Sequence, residues 1–441
     1  MRGSFWTIFT FGTQQGMRFV GNVALTRLLV PEYFGIMAVV SSLIMGLGLF
    51  SDIGIKQNIV QSRNAYEPNF LNTAWTLQII RSIIIFLVIC LAAIPMAKYY
   101  EEPVLAPLIV FSSASFLLSG FDSTKIVIFE RELKLGWKTA IDLTANVLGL
   151  TSMVLWALVS PSVWALPIGG IISTSFKVFA SHAFLPGVKN RLCWDKKYVK
   201  EIVSFGKWIL LASVTMFLSE QSDRFILAKL LSFSLLGIYT VALALAQLPQ
   251  QIIKRLNSQV FFPLVTQNAH LPRAQLSSKI LAKRRIVLLS FAAFIAFSAS
   301  FGDLLIDFLY DERYIDAAWM FSILCLGVWF TVLFYTSVSS LLGIGKPFYT
   351  AQGNVARLIM MVGGIPLAFS WWGTLGAISA IALSDLPGYL VIQRGMFKER
   401  LFFYRQDILT SCFFVGLAAL FLGSRYLAGF VTPFDLLLAG S

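Results

Sequence analysis

Apolar runs of roughly 20 residues, parted by short polar turns, recur along the whole chain. A helix of that length crosses the hydrocarbon core of a bilayer, so each run reads as a membrane span. The pattern predicts helices over 4–27, 33–52, 70–97, 103–121, 138–159 and 163–185. A second set is predicted over 206–228, 233–251, 286–308, 317–342, 348–370 and 374–393, with a thirteenth over 408–424. The stretch 427–441 reads as the start of a fourteenth that stops short of a full crossing. The expected fold class is all-α, a polytopic membrane protein.

The opening pattern returns later in the chain. Residues 5–43 form an apolar helix with a polar row, a turn around Pro31, and a second apolar helix. Laid without a gap over 207–245, Trp6 meets Trp208, Leu25 meets Leu227, and Leu28-Leu29 meet Leu230-Leu231. Gly35-Ile36 meet Gly237-Ile238, and Val39 meets Val241. The repeat divides the chain into an N-terminal six-helix bundle (1–185) and a C-terminal one (206–395). Between them lies a basic linker (186–205) opened by Pro186-Gly187, and residues 396–441 supply one or two further helices.

Composition supports the membrane reading. Of the 441 residues, 57% are hydrophobic and only 13% charged, about half the charge of an average soluble domain. The net charge of +13 does not point to nucleic acid, because the basic residues sit in connections between spans. With the N-terminus cytoplasmic, most Lys and Arg fall in inner loops, as the positive-inside rule requires. The strongest inner segments are 189–207 and 254–285, the latter without an acid, whereas the outer segment 303–316 is acidic. The first span is no cleavable signal, since it carries Gln14, Gln15, Arg18 and Asn22. Four scattered cysteines and two isolated histidines predict no disulfide framework, no metal site and no cofactor.

Polar residues inside the spans are the candidate chemistry. A charge at the centre of a membrane helix costs about 2.5–3.5 kcal/mol, so it usually faces a cavity or a partner. Gln14, Arg18 and Asn22 fall four apart on one face of the first helix, beside Gln15. The equivalent face of the seventh span carries Glu220, Asp223 and Arg224, where Glu220 and Arg224 are spaced to pair. The fifth carries Lys138, Asp142 and Asn146; the eleventh carries Gln352, Asn354 and Arg357. Arg81 and Lys177 add further cations, and Asp385 reads as a lone acid at a broken helix, just before Pro387-Gly388. Helix–helix contacts glued by these groups are the bland alternative. A shared polar cavity with cations in excess favours an anion, and arginine's planar fork suits a diphosphate.

Several motifs lead nowhere. Gly46-Leu47-Gly48 and Gly343-Ile344-Gly345-Lys346-Pro347 lack the spacing of nucleotide loops and read as packing and turn glycines. The outer connections, such as Ser160-Pro161 and 371–374, are too short to house an extracytoplasmic catalytic site. No catalytic residues are expected.

RLLVPEYFGIMAVV (27–40), LGLFSDIGIKQNIVQ (47–61) and the Asp52–Gly54 segment within it resemble the polysaccharide transporter family. That family comprises the Wzx-type flippases of O-antigen, capsule and exopolysaccharide pathways. The resemblance implies two pseudo-symmetric six-helix bundles around a V-shaped cavity, plus optional C-terminal helices. It implies an undecaprenyl-diphosphate-linked oligosaccharide as substrate and the bacterial inner membrane as location. Membrane lipids, a polysaccharide polymerase and a chain-length regulator are the implied partners. The resemblance carries over by position to Arg18, Arg224 and Arg357; with the polar rows of the spans, the expected substrate site is these three and Arg81 with Gln14, Gln15, Asn22, Asn146 and Asn354. Glu220, Asp223, Asp142 and Asp385 are candidates for ion coupling or for structural counter-ions. A cation-coupled drug antiporter of the same superfamily, a membrane polymerase or ligase, and a non-transporting lipid scaffold are the rival readings.

Overall fold

A computed structural model describes residues 2–430 except 52 and 53, together with 432, 433 and 435. Asp52 of the family signature, the side chains of Trp6 and Trp208, and 436–441 of the expected fourteenth helix lie outside the described residues. The chain is 84% helical, and it forms two compact units, Met1–Phe217 and Leu218–Ser441.

Unit 1 contains α1 (Arg2–Leu28), α2 (Pro31–Phe50), α3 (Ile55–Gln61), α4 (Pro68–Tyr99), α5 (Leu105–Ser119), α6 (Lys125–Arg131), α7 (Leu135–Val159) and α8 (Ala165–Ala183). The division between units falls inside α9 (Lys196–Leu230). Unit 2 continues with α10 (Phe233–Leu256), a π-turn, α11 (Phe262–Asn268), α12 (Arg273–Leu309) and α13 (Asp316–Gly343). It ends with α14 (Pro347–Ile359), a second π-turn, α15 (Ile365–Ala382), α16 (Asp385–Lys398) and α17 (Tyr404–Leu427).

The repeat is visible in the helix boundaries. α1 stops at Leu28 and α2 starts at Pro31; α9 stops at Leu230 and α10 starts at Phe233, the same places under the ungapped alignment. Different residues close the two turns. Pro31 opens α2 with its φ already set for a helix. Ser232 instead accepts a hydrogen bond from the Leu235 amide at 3.3 Å. The packing repeats as well. In unit 1, α5 lies against α2, α4 and α8, and α7 lies against α8. In unit 2, α13 lies against α10, α12 and α16, and α14 lies against α16. Matching the elements in chain order makes these neighbour pairs correspond one to one.

Eight helical stretches among the described residues are long and apolar enough to cross a bilayer, against thirteen spans expected from the pattern. One of them, Pro347–Lys398, is 52 residues long. It breaks at Trp372 and at Gly373, whose φ of 56° and ψ of −140° suit glycine alone. The break divides it into the eleventh and twelfth expected spans. The polar rows of α1 and α9 dilute their hydropathy, as do Lys177 and the serines of α8, and α5 has only 15 residues.

α13 is the axis of unit 2, with 83% of its apolar stretch buried. Its sequence is apolar all round, with small residues where backbones come close. A side chain on Gly327 would collide with the backbone of Ala382 on α15. The Gly46 and Gly48 pair has the same role in unit 1. Rings of Phe217 and Phe116 stand 2.5 and 2.8 Å from where their Cβ atoms would be.

The connection 186–205 is no loose linker. Residues 186–195 run along α4, whose Asn72, Thr76 and Thr73 side chains accept from the amides of Arg191, Cys193 and Asp195. Asn190 is held between Ser123 and Thr124. From Lys196 the chain is already helical, and Tyr198 and Ile202 pack on Ile59, Phe70 and Leu71. Burial of those two side chains extends α9 beyond its apolar core into a segment that reads as polar loop.

Candidate functional site

Each unit holds a cluster of ionic side chains beside a cavity. In unit 1, α3, α6, α7 and α8 converge on two carboxylates. Glu130 receives Lys56 at 2.7 Å and Lys138 at 2.5 Å. Asp142 receives Lys177 at 3.1 Å and stands 3.9 Å from Lys138. The Lys138–Asp142 contact follows from helical spacing, one turn apart on α7. Lys177 is thus tied to an acid rather than stretched toward an interface. Glu130, on the short connecting helix α6, has its carboxyl pKa lowered: burial pushes it up, but hydrogen bonds from Lys138 and Lys56 outweigh that. Asp122, in the turn before α6, is pushed up to about 6, chiefly by burial, with Lys177 opposing. Its Oδ1 is buried without a hydrogen-bond partner.

Lys56, Asp122, Glu130, Lys138 and Lys177 line a pocket of about 350 Å³, together with Gln78 and Arg81 of α4. Arg81 donates to Ser51 Oγ at 3.0 Å and to the Gly48 carbonyl at 2.7 Å. Its guanidinium lies 5.9 Å from the centroid of the Phe116 ring. Beyond Arg81 and Phe116 opens a second cleft of about 610 Å³, walled largely by Met37, Ile44, Leu49, Met153 and Leu166.

In unit 2, α9, α10, α13, α14 and α16 surround a cavity of about 40 Å³, room for a water or two. Arg357 and Asp385 pair across it at 3.2 Å, and Thr331 donates to the same carboxylate. Glu220 pairs with Lys254 at 2.8 Å. Asp223 accepts from the Tyr239 hydroxyl at 2.5 Å. Asp223 Oδ1 and Arg357 Nε, both buried, have no partner. The structure therefore corrects two pairings. Glu220 does not join Arg224 but reaches across to Lys254, while Arg224 bonds Gln221. Asp385 is not alone, because the chain turns at Leu383-Ser384 and starts α16 with Asp385 facing Arg357.

The remaining expected residues stand apart from these clusters. On α1, Gln14, Gln15 and Asn22 are half-buried and Arg18 is exposed. Asn146 is exposed on α7, which packs against α1. Asn354 is half-buried on α14, and its carbonyl accepts from Ser219 at 3.5 Å. Arg18 belongs to unit 1, whereas Arg224 and Arg357 belong to unit 2.

Two buried ion pairs escape a reading by span and loop. Arg284, grouped by the pattern with the inner-loop cations, is 0% exposed and pairs with Asp407 of α17. Asp303, expected in an acidic outer loop, lies inside α12 and holds Arg425 at 2.6 Å. A signal for the first exists in the chain. Leu276, Ile280, Arg284 and Leu288 fall four apart, and all are buried.

Residues 24–319 match the family described as polysaccharide biosynthesis protein. The chain belongs to that family. It is 23% identical over 266 residues to the lipopolysaccharide biosynthesis protein WzxC of Escherichia coli K12, covering 59% of this chain and 53% of that one. The chain thus spans about half the length of that relative. It is 21% identical over 391 residues to the succinoglycan biosynthesis transport protein ExoT of Rhizobium meliloti, covering 88% and 74%. Among solved structures, the lipid II flippase MurJ in an inward closed conformation superposes with a TM-score of 0.72 at 15% identity, over 99% of this chain and 95% of that one. An inward-facing multidrug MATE transporter of the MOP superfamily gives 0.64 at 14%, over 91% and 95%. At those identities the likeness is one of fold: this family member is a multi-pass membrane protein with the MOP-type helical transporter fold.

Proposed function

We propose that the protein moves an undecaprenyl-diphosphate-linked oligosaccharide from the inner to the outer leaflet of the bacterial cytoplasmic membrane, supplying surface polysaccharide assembly. The N-terminus is cytoplasmic, a polymerase and a chain-length regulator act downstream, and the protein itself performs no bond chemistry. Sugar hydroxyls lose their hydrogen bonds in hydrocarbon, at a cost of roughly 2–7 kcal/mol each. Unassisted flipping is therefore prohibitively slow. A wet, basic groove that takes the head group, while the prenyl chain stays in lipid, removes most of that barrier.

The observation that carries this reading is that Arg18 is exposed on α1. It lies about ten residues, or roughly 15 Å, from the end of α1, near the mid-plane of a bilayer about 30 Å thick. Gln14 and Asn22 share its face. A charge left uncovered at that depth needs water or an anionic ligand. In this scheme Arg18 holds the diphosphate, and Gln14, Gln15, Asn22 and Asn146 of the same unit meet the sugars. Transport then requires the groove to open to each face of the membrane in turn.

The test is Arg18→Ala in a strain that depends on this gene for surface polysaccharide. Export is expected to stop while the protein remains inserted at its normal level. Normal polysaccharide in that strain would remove Arg18 from the site.

A further inference from the structure

We infer that unit 1 alone carries a bipartite site for a phosphate-bearing lipid, with its polar half in the pocket of Lys56, Lys138, Lys177 and Asp122 and its apolar half in the cleft beyond Phe116. The inference rests on the flippase reading and goes beyond it. It gives the diphosphate head group a binding place separate from the polar row of α1, inside a single helical bundle.

The two spaces share a wall. Arg81 and Phe116 line both the polar pocket of about 350 Å³ and the cleft of about 610 Å³. On one side stand ammonium groups and carboxylates; on the other, methionine, leucine and isoleucine side chains with three serines among them. An amphiphile whose charged head continues into a chain matches that sequence of surfaces. Neither a free nucleotide nor a plain hydrocarbon would use both.

The polar half has the donors and acceptors that a phosphorylated sugar needs. Among the described residues, Lys56, Lys138 and Lys177 form their ion pairs with Glu130 and Asp142. Each ammonium has three N–H donors, so the shared carboxylates leave donors over for phosphate oxygens. Asp122 lines the same pocket with a buried oxygen that no group satisfies. A buried acceptor of that kind is costly to leave unpaired, and a sugar hydroxyl would satisfy it. The diphosphate then sits near Arg81, between the sugar and the first isoprene units.

The cleft can be closed without touching the charges. A Cβ added at Gly170, which lines the cleft, would have nothing within 4 Å. Gly170→Leu therefore fills apolar space and favours the helix it sits in. The polar half can be weakened while Glu130 and Asp142 each keep a cation within 4 Å. In Lys56→Gln/Lys177→Gln, Lys138 remains 2.5 Å from Glu130 and 3.9 Å from Asp142.

Binding is measured by calorimetry on the full chain in nanodiscs of neutral lipid, with a farnesyl-diphosphate-linked disaccharide, inorganic pyrophosphate and phosphatidylglycerol as probes. The double lysine variant is expected to bind the farnesyl compound at least tenfold more weakly. Gly170→Leu is expected to weaken the farnesyl compound to the same extent but not pyrophosphate. Wild-type affinity in either variant overturns the site. Equal affinity for pyrophosphate and the farnesyl compound overturns its apolar half. Displacement by equimolar phosphatidylglycerol overturns its choice of lipid. Should the double variant fail to fold, Lys56→Gln alone, at a side chain 56% exposed, carries the same test with a threefold loss expected. Translocation of a polyprenyl-linked glycan in vesicles separates the two claims. Flipping by wild type with unaltered binding in both variants removes the site and leaves the flippase reading. Tight, variant-sensitive binding without flipping does the reverse.

Discussion

Replacing Arg284 by Met should cost the protein about 3 kcal/mol, the low end of the range for breaking a buried ion pair from one side. Arg284 is fully buried and pairs with Asp407. It also donates to Thr336 Oγ1 at 3.0 Å and to Gln406 Oε1 at 3.1 Å, and lies 5.3 Å from the centroid of the Phe403 ring. Met keeps most of the stem packing but none of the charge. Asp407 would not be abandoned, because the Tyr389 hydroxyl and the Gln393 amide each donate to its Oδ2 at 2.7 Å. Those two bonds, each worth roughly 1.5–3 kcal/mol to a charged acceptor, keep the loss from the upper end. Asp407→Asn should cost about as much or more, since it strands a guanidinium that does not give up its proton. The double variant should fall short of the sum of the singles by about 2 kcal/mol, the signature of a coupled pair. The assay is equilibrium unfolding in mixed micelles by SDS titration, followed by far-UV circular dichroism. Additive losses, to within about 0.5 kcal/mol, would refute the reasoning. The tie between α12 and α17 would then rest on the Arg425–Asp303 pair and apolar packing.

Two other outcomes follow from the ionic clusters. The raised pKa of Asp122, about 6 against an ordinary 3.8, means the folded protein binds more protons than the unfolded chain between those pH values. Stability conferred by this site therefore falls as pH rises through that window and stays reduced above it. Asp122→Asn should remove the penalty and stabilise the protein by about 3 kcal/mol near neutral pH, with no gain near pH 3; a gain independent of pH would contradict the assignment. In vesicles, an imposed pH gradient should speed wild-type flipping, and Asp223→Asn should abolish that response while leaving the ungraded rate within about twofold. Asp223 is the carboxylate at the unit 2 cavity whose Oδ1 lacks a partner. An undiminished response would exclude it from coupling.

The one-dimensional pattern determined a good deal. Hydropathy alone dictates helices, because a lipid-exposed backbone must satisfy its own hydrogen bonds. The hairpin repeat was legible in its ungapped register, with spans expected to end at 27 and 228 against observed ends at Leu28 and Leu230, since a turn such as that at Pro31 is set by local chemistry. Polar residues within spans were also visible one by one, because each is an exception to an apolar run.

What the chain order could not disclose was the partner of each charge. Spacing suggested Glu220 with Arg224 on one helix; packing of α9 against its neighbours brought Lys254 instead. Arg357 and Asp385 meet only because the chain breaks at Gly373 and turns again before α16. Arg284 and Asp303 looked like loop charges until α12 extended through both and α17 supplied Asp407 and Arg425. The unit 1 pocket draws on α3, α4, α6, α7 and α8 at once. Charge pairing acts across a few ångströms of space whatever the separation along the chain, so these assignments belonged to the tertiary structure alone.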